Sequence, residues 1–89
     1  MGISHERVSI GTTATLISAM SVGRDGQTVA IQNPTGSTVY LGGAGVTTSS
    51  YGYELGAGIT FSIEMSHNEQ LYGVVATGTQ TVNVIRQGA

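Results

Sequence analysis

Few residues in this chain have the types and spacing that catalysis requires. The 89 residues include two histidines, His5 and His67, and a single aspartate, Asp25. A serine nucleophile needs a histidine base that is itself oriented by an acid. His67 lies in a polar Ser-His-Asn-Glu segment between two expected strands, which is typical of a solvated turn residue. His5 belongs to the first residues, which we expect to be flexible. We therefore expect no enzymatic activity.

The residues that form disulfides, metal sites and phosphate-binding loops are also missing. The chain has no cysteine, which excludes disulfides and thiolate metal sites. The histidines lack the spacing of a zinc motif, and one aspartate cannot supply a calcium loop. Residues 42–45 are rich in glycine but lack the Lys-Ser/Thr pair and the helix that complete a phosphate loop. We expect no metal and no cofactor.

The charge content excludes two classes of partner. Charged residues make up 9% of the chain, the formal net charge is −2, and all three cations are arginines. Three cations neutralise too few phosphates for nucleic-acid binding and do not form a polybasic membrane contact. We therefore expect no nucleic acid and no membrane as partners. A chain this short without disulfides also builds a thin core, which favours stabilisation by oligomerisation or by docking onto a larger body.

The apolar residues alternate with polar ones, which predicts half-buried strands rather than helices. The clearest example is residues 59–65, where Ile, Phe, Ile and Met alternate with Thr, Ser and Glu. The same period recurs at residues 28–32, 39–41 and 81–85, and more weakly at 8–10 and 14–17. Residues 71–76 are continuously apolar, as in a central strand covered on both faces. Turn signals every ~8–12 residues predict an all-β sandwich or barrel of seven to eight short antiparallel strands.

The strand pattern divides the chain into an arm and one domain. We expect residues 1–7 to form a flexible N-terminal arm and residues 8–89 to form a single β-sandwich domain. Residues 33–36, Asn-Pro-Thr-Gly, suit a type I turn in which Gly36 is free to adopt a positive φ. Phe61 is expected in the core, where its replacement by alanine costs ~3–5 kcal/mol.

A long loop is expected at residues 42–58, which hold six of the 14 glycines. This loop carries Tyr51 and Tyr53. Tyrosine among Ser, Thr and Gly is typical of protein-binding loops, because the ring gives a large contact area at a small entropy cost. A second interpretation stays open, in which Tyr53 and Leu55 only cap one end of the sandwich.

Arginines and tyrosines are the candidate contacts with a partner. Arginine suits bidentate and interfacial ion pairs, so Arg7 and Arg86 are each expected to pair with a glutamate of a neighbouring subunit. A solvated cation is the alternative for both. The residues predicted to contact a partner are Tyr40, Tyr51, Tyr53, Arg7, Arg24 and Arg86.

Strand and turn segments along most of the chain point to a family. They are residues 28–34 (TVAIQNP), 39–43 (VYLGG), 46–47 (VT), 53–55 (YEL), 58–63 (GITFSI), 71–74 (LYGV) and 81–84 (TVNV). From about residue 8 to residue 86, the chain resembles small structural proteins of tailed bacteriophages. The resemblance implies a jelly-roll-like β-sandwich that forms a homotrimer or lies across junctions between capsid subunits. It supplies no catalytic residue.

That resemblance also implies a function in the virion. The expected function is capsid decoration, in which a cement protein binds the major capsid protein on the outside of the head and stabilises the shell through multivalent contacts. Such a protein is made in the host cytoplasm, is not secreted and is found on the capsid surface. The alternative is a tail, baseplate or head-fibre component that presents loops to a receptor or host surface.

Overall fold

Eight β-strands make up the described part of the chain. The computed structural model describes residues 3–19, 26–34, 36–66 and 69–87, and no helix occurs within those ranges. In chain order the strands are β1 (Ile3–Ile10), β2 (Thr15–Ala19), β3 (Gln27–Asn33), β4 (Val39–Gly42), β5 (Tyr53–Leu55), β6 (Ile59–Met65), β7 (Gln70–Val74) and β8 (Gln80–Gln87). The expectation of an all-β fold with short strands is confirmed.

The strands form two four-stranded sheets in which every pairing is antiparallel. Sheet A has the order β1-β8-β3-β6, and sheet B has the order β2-β7-β4-β5. Two antiparallel sheets with this strand order form a jelly-roll sandwich, as expected. The order places β1 and β6 at the edges of sheet A, and β2 and β5 at the edges of sheet B.

The core lies between the two sheets and receives side chains from both. Along β3 the buried and exposed side chains alternate, as the period of two predicted. Phe61 is only partly buried, packed against the side of this core, so its expected core position is met in part. The buried cluster consists of Ile10, Ile17, Val29, Ile31, Val39, Leu41, Leu55, Met65, Leu71, Val75, Val82 and Val84.

A glycine at the centre of sheet B allows its neighbours to pack closely. β7 lies between β2 and β4, and its Gly73 is buried. A Cβ atom at Gly73 would lie 2.9 Å from Cδ1 of Ile17 and 3.2 Å from Cγ1 of Val39. Glycine therefore leaves the space that these two side chains fill. Val74, which precedes the buried Val75, is also buried, in agreement with a central strand covered on both faces.

The turn between β3 and β4 is anchored by a fully buried amide. The Nδ2 group of Asn33 donates hydrogen bonds to the backbone oxygens of Ser37, at 2.8 Å, and of Leu55, at 3.0 Å. The backbone oxygen of Asn33 accepts a hydrogen bond of 2.6 Å from Gly58 N–H. Gly36 in the same turn has a φ of 95°, as predicted. One residue thus connects three segments of the chain.

The first strand begins earlier than expected. Ile3 pairs with Gln87 and Arg7 pairs with Asn83, so residues 3–7, which we assigned to a flexible arm, form part of β1. These residues are polar on both faces apart from Ile3, so no alternation of apolar residues marks the strand. Pairing with the β8 backbone, rather than apolar burial, holds them in place. Residues 1 and 2 lie outside the described ranges.

The loop expected at residues 42–58 is shorter and contains a strand. Gly42 ends β4, and β5 pairs with β4, which leaves a loop of residues 43–52. Within this 43–52 loop, Thr47 N–H donates to the Ser50 oxygen at 2.8 Å, and Gly52 N–H donates to the Leu41 oxygen at 2.7 Å. Val46 is buried, 5% exposed. The 43–52 loop therefore folds back onto sheet B.

Candidate assembly surfaces

One side of the sandwich is open between the edge strands β5 and β6. β6 has seven residues, whereas β5 has three. Tyr53 of β5 stacks on Phe61 of β6, with ring centroids 4.6 Å apart and 29° between the ring planes. Beside this pair lies a cleft of about 430 Å³. We call it the β5–β6 cleft.

The β5–β6 cleft is lined mainly by apolar residues, together with two acidic ones. Leu41, Ile63 and Met65 contribute to the walls, and the exposed Glu64 and Glu69 also belong to the lining. Oε1 of Glu69 accepts a hydrogen bond of 2.6 Å from the backbone N–H of Ser66, which fixes that carboxylate beside the cleft. The volume lies in the range of small ligand pockets, and it is large enough to receive apolar side chains of another protein.

The opposite edge of sheet A carries the exposed cation among the described residues. Nε of Arg7 donates to Oδ1 of Asn83 at 3.2 Å, and Nδ2 of Asn83 donates to Oε1 of Gln32 at 3.1 Å. These bonds form a polar row across β1, β8 and β3. His5 and Ile3 lie on the same face of β1, and Ile3 is 68% exposed. The prediction that Arg7 contacts a partner stays a prediction.

Arg86, in contrast, is used within the chain. Its Nε donates to Oγ of Ser18 at 2.9 Å, one guanidinium nitrogen donates to the backbone oxygen of Ile17 at 3.0 Å, and that nitrogen also forms an ion pair with Glu6. The side chain is 16% exposed. The guanidinium therefore connects β8 of sheet A to β2 of sheet B and to β1. The glutamate paired with Arg86 here is Glu6 of the same chain, because the register of β1 with β8 places these two residues diagonally across neighbouring strands of sheet A. The expected pairing with a neighbour's glutamate stays a prediction.

The two other tyrosines predicted to contact a partner, Tyr40 and Tyr51, form a pair on the outer side of sheet B. Tyr40, on β4, is partly buried, and Tyr51, in the 43–52 loop, is 44% exposed. Their ring centroids are 4.8 Å apart with 55° between the planes. This pair belongs to a surface separate from Tyr53, which lines the β5–β6 cleft. Tyr53 stacks on Phe61 and is still 38% exposed, so both interpretations of Tyr53, a contact with a partner and a cap at one end of the sandwich, stay predictions.

Some of the predicted residues cannot be placed. Arg24, Asp25 and His67 lie outside the described residues. Within the described ranges, no group of three or more His, Cys, Asp or Glu side chains is arranged to hold a metal ion. No helix in those ranges is long and apolar enough to cross a membrane.

Two features of these surfaces escaped the sequence-based reasoning. The β5–β6 cleft depends on the difference in length between two strands, and a strand of three residues is too short to show alternation. The partners of Arg86 lie 68, 69 and 80 positions away, and no local pattern identifies such partners. The only available signal for the cleft was the placement of an aromatic residue on each strand beside it.

Comparison with known proteins identifies the fold but no family. No protein-family model matches the chain, and no curated protein matches it. Among solved structures, a similar chain comes from Bacillus endospore appendages, described as a novel family of disulfide-linked pili. The TM-score is 0.54 with 18% sequence identity, and the match covers 96% of this chain and 87% of that chain. At this identity the likeness establishes a shared fold.

Proposed function

We propose that this chain is a non-enzymatic structural subunit that acts as one copy among many, as a decoration protein on the outside of a bacteriophage head. The observation that carries the proposal is the β5–β6 cleft, an apolar opening in a chain with only 9% charged residues. Concave openings lined mainly by apolar side chains are where proteins commonly bind other molecules. The proposed partner at this site is protein of the shell or a second copy.

Exposed apolar side chains elsewhere support the same conclusion. Ile3, Leu16 and Ile59 are each at least 45% exposed. Single exposed apolar residues are ordinary, but all three of these lie on strands at sheet edges. Each such contact contributes little energy. Repetition around a shell multiplies weak contacts into tight binding.

The similar fold of the pilus-forming chain supports the structural part of the proposal. That chain is described as part of disulfide-linked pili, so a sandwich of this fold is used there as a building unit. The present chain has no cysteine. Contacts with further copies or with a shell therefore do not involve disulfides of this chain in the proposed function.

Binding to heads tests the proposal directly. Bacteriophage heads assembled without this chain are incubated with the purified protein and separated from free protein by sedimentation. We expect the chain to sediment with the heads to a saturating ratio and to raise the temperature at which they rupture. Ile63→Ser, in the cleft, weakens binding, whereas the control Ile85→Ser, on the outer face of sheet A, leaves it unchanged. Wild-type protein that stays entirely in the supernatant contradicts head decoration.

A tail, baseplate or head-fibre function is the second candidate, and the Tyr40–Tyr51 pair favours it. An exposed tyrosine in a loop rich in Gly, Ser and Thr is typical of receptor-binding surfaces. If the loop binds a host surface, Tyr51→Ala abolishes binding of the purified chain to host cells and leaves head binding intact. If the chain only decorates heads, neither the wild type nor Tyr51→Ala binds cells.

A further inference from the structure

The charges of the described residues differ between the two edges of the sandwich. Glu64 and Glu69 line the β5–β6 cleft, and Glu54 lies on β5. The other edge carries two arginines against one glutamate, since Arg7 is exposed on β1 and Arg86 is paired with Glu6. One edge is therefore acidic and contains the apolar cleft, and the opposite edge has a net positive charge and presents the exposed Ile3.

The two edges of sheet A also match each other as strands. β1 has eight residues and β6 has seven. Because neighbouring strands of sheet A are antiparallel throughout, β1 and β6 run in opposite directions. A second copy placed alongside in the same orientation would therefore set its β1 antiparallel to β6 of the first. Edge strands with unpaired backbone groups are templates for such pairing.

From these observations we propose that copies of this chain associate head to tail, with β1 of one copy paired with β6 of the next. The proposal rests on the proposed function as a repeated structural subunit, and it names the partner at the acidic edge. The occupant is a second copy, because its β1 edge supplies the positive charge that the acidic edge lacks. An interface between two different surfaces closes into a ring, such as a trimer, or continues as a filament.

The register of sheet A predicts which residues meet. One row of paired residues crosses all four strands and consists of Ile3, Gln87, Thr28 and Glu64. If the second copy is placed beside the first without a shift along the strands, it continues this row, and its Ile3 lies opposite Glu64. The same repeat places Val8 of the second copy opposite Ile59, which is 45% exposed, and His5 diagonal to Glu64.

The row at Arg7 gives a second predicted pair. This row of paired residues crosses sheet A through Arg7, Asn83, Gln32 and Thr60. Continuing that row places Arg7 of the second copy opposite Thr60. Residues directly opposite on antiparallel strands have Cα atoms about 4.5–5.5 Å apart, which is within the range that a disulfide spans.

Disulfide trapping tests the predicted pairing, because the chain has no cysteine of its own. The variants are Ile3→Cys with Glu64→Cys, and Arg7→Cys with Thr60→Cys. Under mild oxidation we expect at least one pair to give covalent multimers larger than dimers on a non-reducing gel. The control is Ile85→Cys with Glu64→Cys, since Ile85 lies on the inner strand β8. If neither pair exceeds this control, the head-to-tail interface is overturned.

Association of the cysteine-free protein provides an independent measurement. In sedimentation equilibrium, Ile3→Ser and Glu64→Arg should each raise the dissociation constant at least about fivefold, the effect of roughly 1 kcal/mol. Ile85→Ser should leave it unchanged. A wild-type chain that is monomeric at millimolar concentration but sediments with heads overturns this inference and keeps the decoration function. A chain that self-associates as predicted but does not sediment with heads overturns the decoration function and keeps this inference.

Discussion

Replacement of Arg86 by methionine tests whether the contact between the sheets contributes to stability. The guanidinium donates to the backbone oxygen of Ile17 and to the hydroxyl of Ser18, and both of these residues are 3% exposed. Methionine retains most of the aliphatic length of the side chain and donates no hydrogen bond. The substitution therefore leaves two buried oxygens of β2 without their donor.

The expected decrease in the free energy of unfolding follows from these contacts. Leaving a buried acceptor without its donor costs about 1–3 kcal/mol. The ion pair adds about 1 kcal/mol or less, because the Glu6 side chain is 49% exposed. Since methionine recovers part of the packing, we expect a total loss of about 2–4 kcal/mol. A chain of this length has a free energy of unfolding of only about 4–13 kcal/mol.

Thermal and urea unfolding provide the measurement. The entropy of unfolding is about 2.1 cal/mol/K per residue, so a loss of 2–4 kcal/mol lowers Tm by about 10–20 °C for a chain of this size. Arg7→Met is the matched control, because the exposed Arg7 makes one hydrogen bond of 3.2 Å to Asn83. Its expected cost is below about 0.5 kcal/mol. Glu6→Gln should also cost little, which separates the ion pair from the contacts with β2.

The melting temperature of Arg86→Met can refute the stabilising role of Arg86. If Arg86→Met melts within about 3 °C of the wild type, a shift well below the expected range, Arg86 does not stabilise the packing of the sheets. A large and equal loss for Arg86→Met and Glu6→Gln would show that the ion pair, rather than the bonds to β2, carries the stabilisation. Arg86→Lys should fall between the wild type and methionine, because one ammonium cannot reproduce the geometry of a guanidinium fork.

Three other substitutions give distinct expectations. Gly73→Ala forces a Cβ atom against Ile17 and Val39, and it should lower the free energy of unfolding measured in urea by about 1–3 kcal/mol. Adding Ile17→Val should recover part of this loss. If the losses of the two single variants simply add up in the double variant, the packing explanation is contradicted. Asn33→Asp removes the amide donor to two backbone oxygens and should cost about 2–4 kcal/mol, whereas an unchanged urea midpoint would refute the anchoring role. Phe61→Ala should cost about 1.5–3 kcal/mol, less than a fully buried aromatic, and a loss above this range in the same assay would place Phe61 in the core.

The sequence predicts most of the fold because burial on one face leaves a visible period. Residues 59–65 and 81–85 alternate and lie in β6 and β8, and the turn at residues 33–36 has the positive φ expected at Gly36. β1 shows no such period at residues 4–7, because strand pairing does not require apolar side chains. β2 is interrupted by an irregularity between Leu16 and Ser18, which explains its weak alternation.

The candidate surfaces were predicted less well, for a physical reason. Residue types indicate what a side chain can do, but the fold decides what it meets. Arg7 and Arg86 are the same residue type near opposite ends of the sequence, yet one is exposed and the other lies between two sheets. Phe61 was expected in the core, and its position on an edge strand leaves it only partly buried, packed against the core and lining the β5–β6 cleft.

The position of β8 has a consequence for folding kinetics. β8 lies between β1 and β3 in sheet A, although it follows all the other strands in sequence. At a synthesis rate of ~5–20 residues per second, about 2–9 s separate the completion of β3 from the first residue of β8. During that interval β1 has no partner strand in its own sheet. β3 and β6 can pair before β8 is made, but the moment at which β8 leaves the ribosome sets the earliest time at which sheet A can be completed.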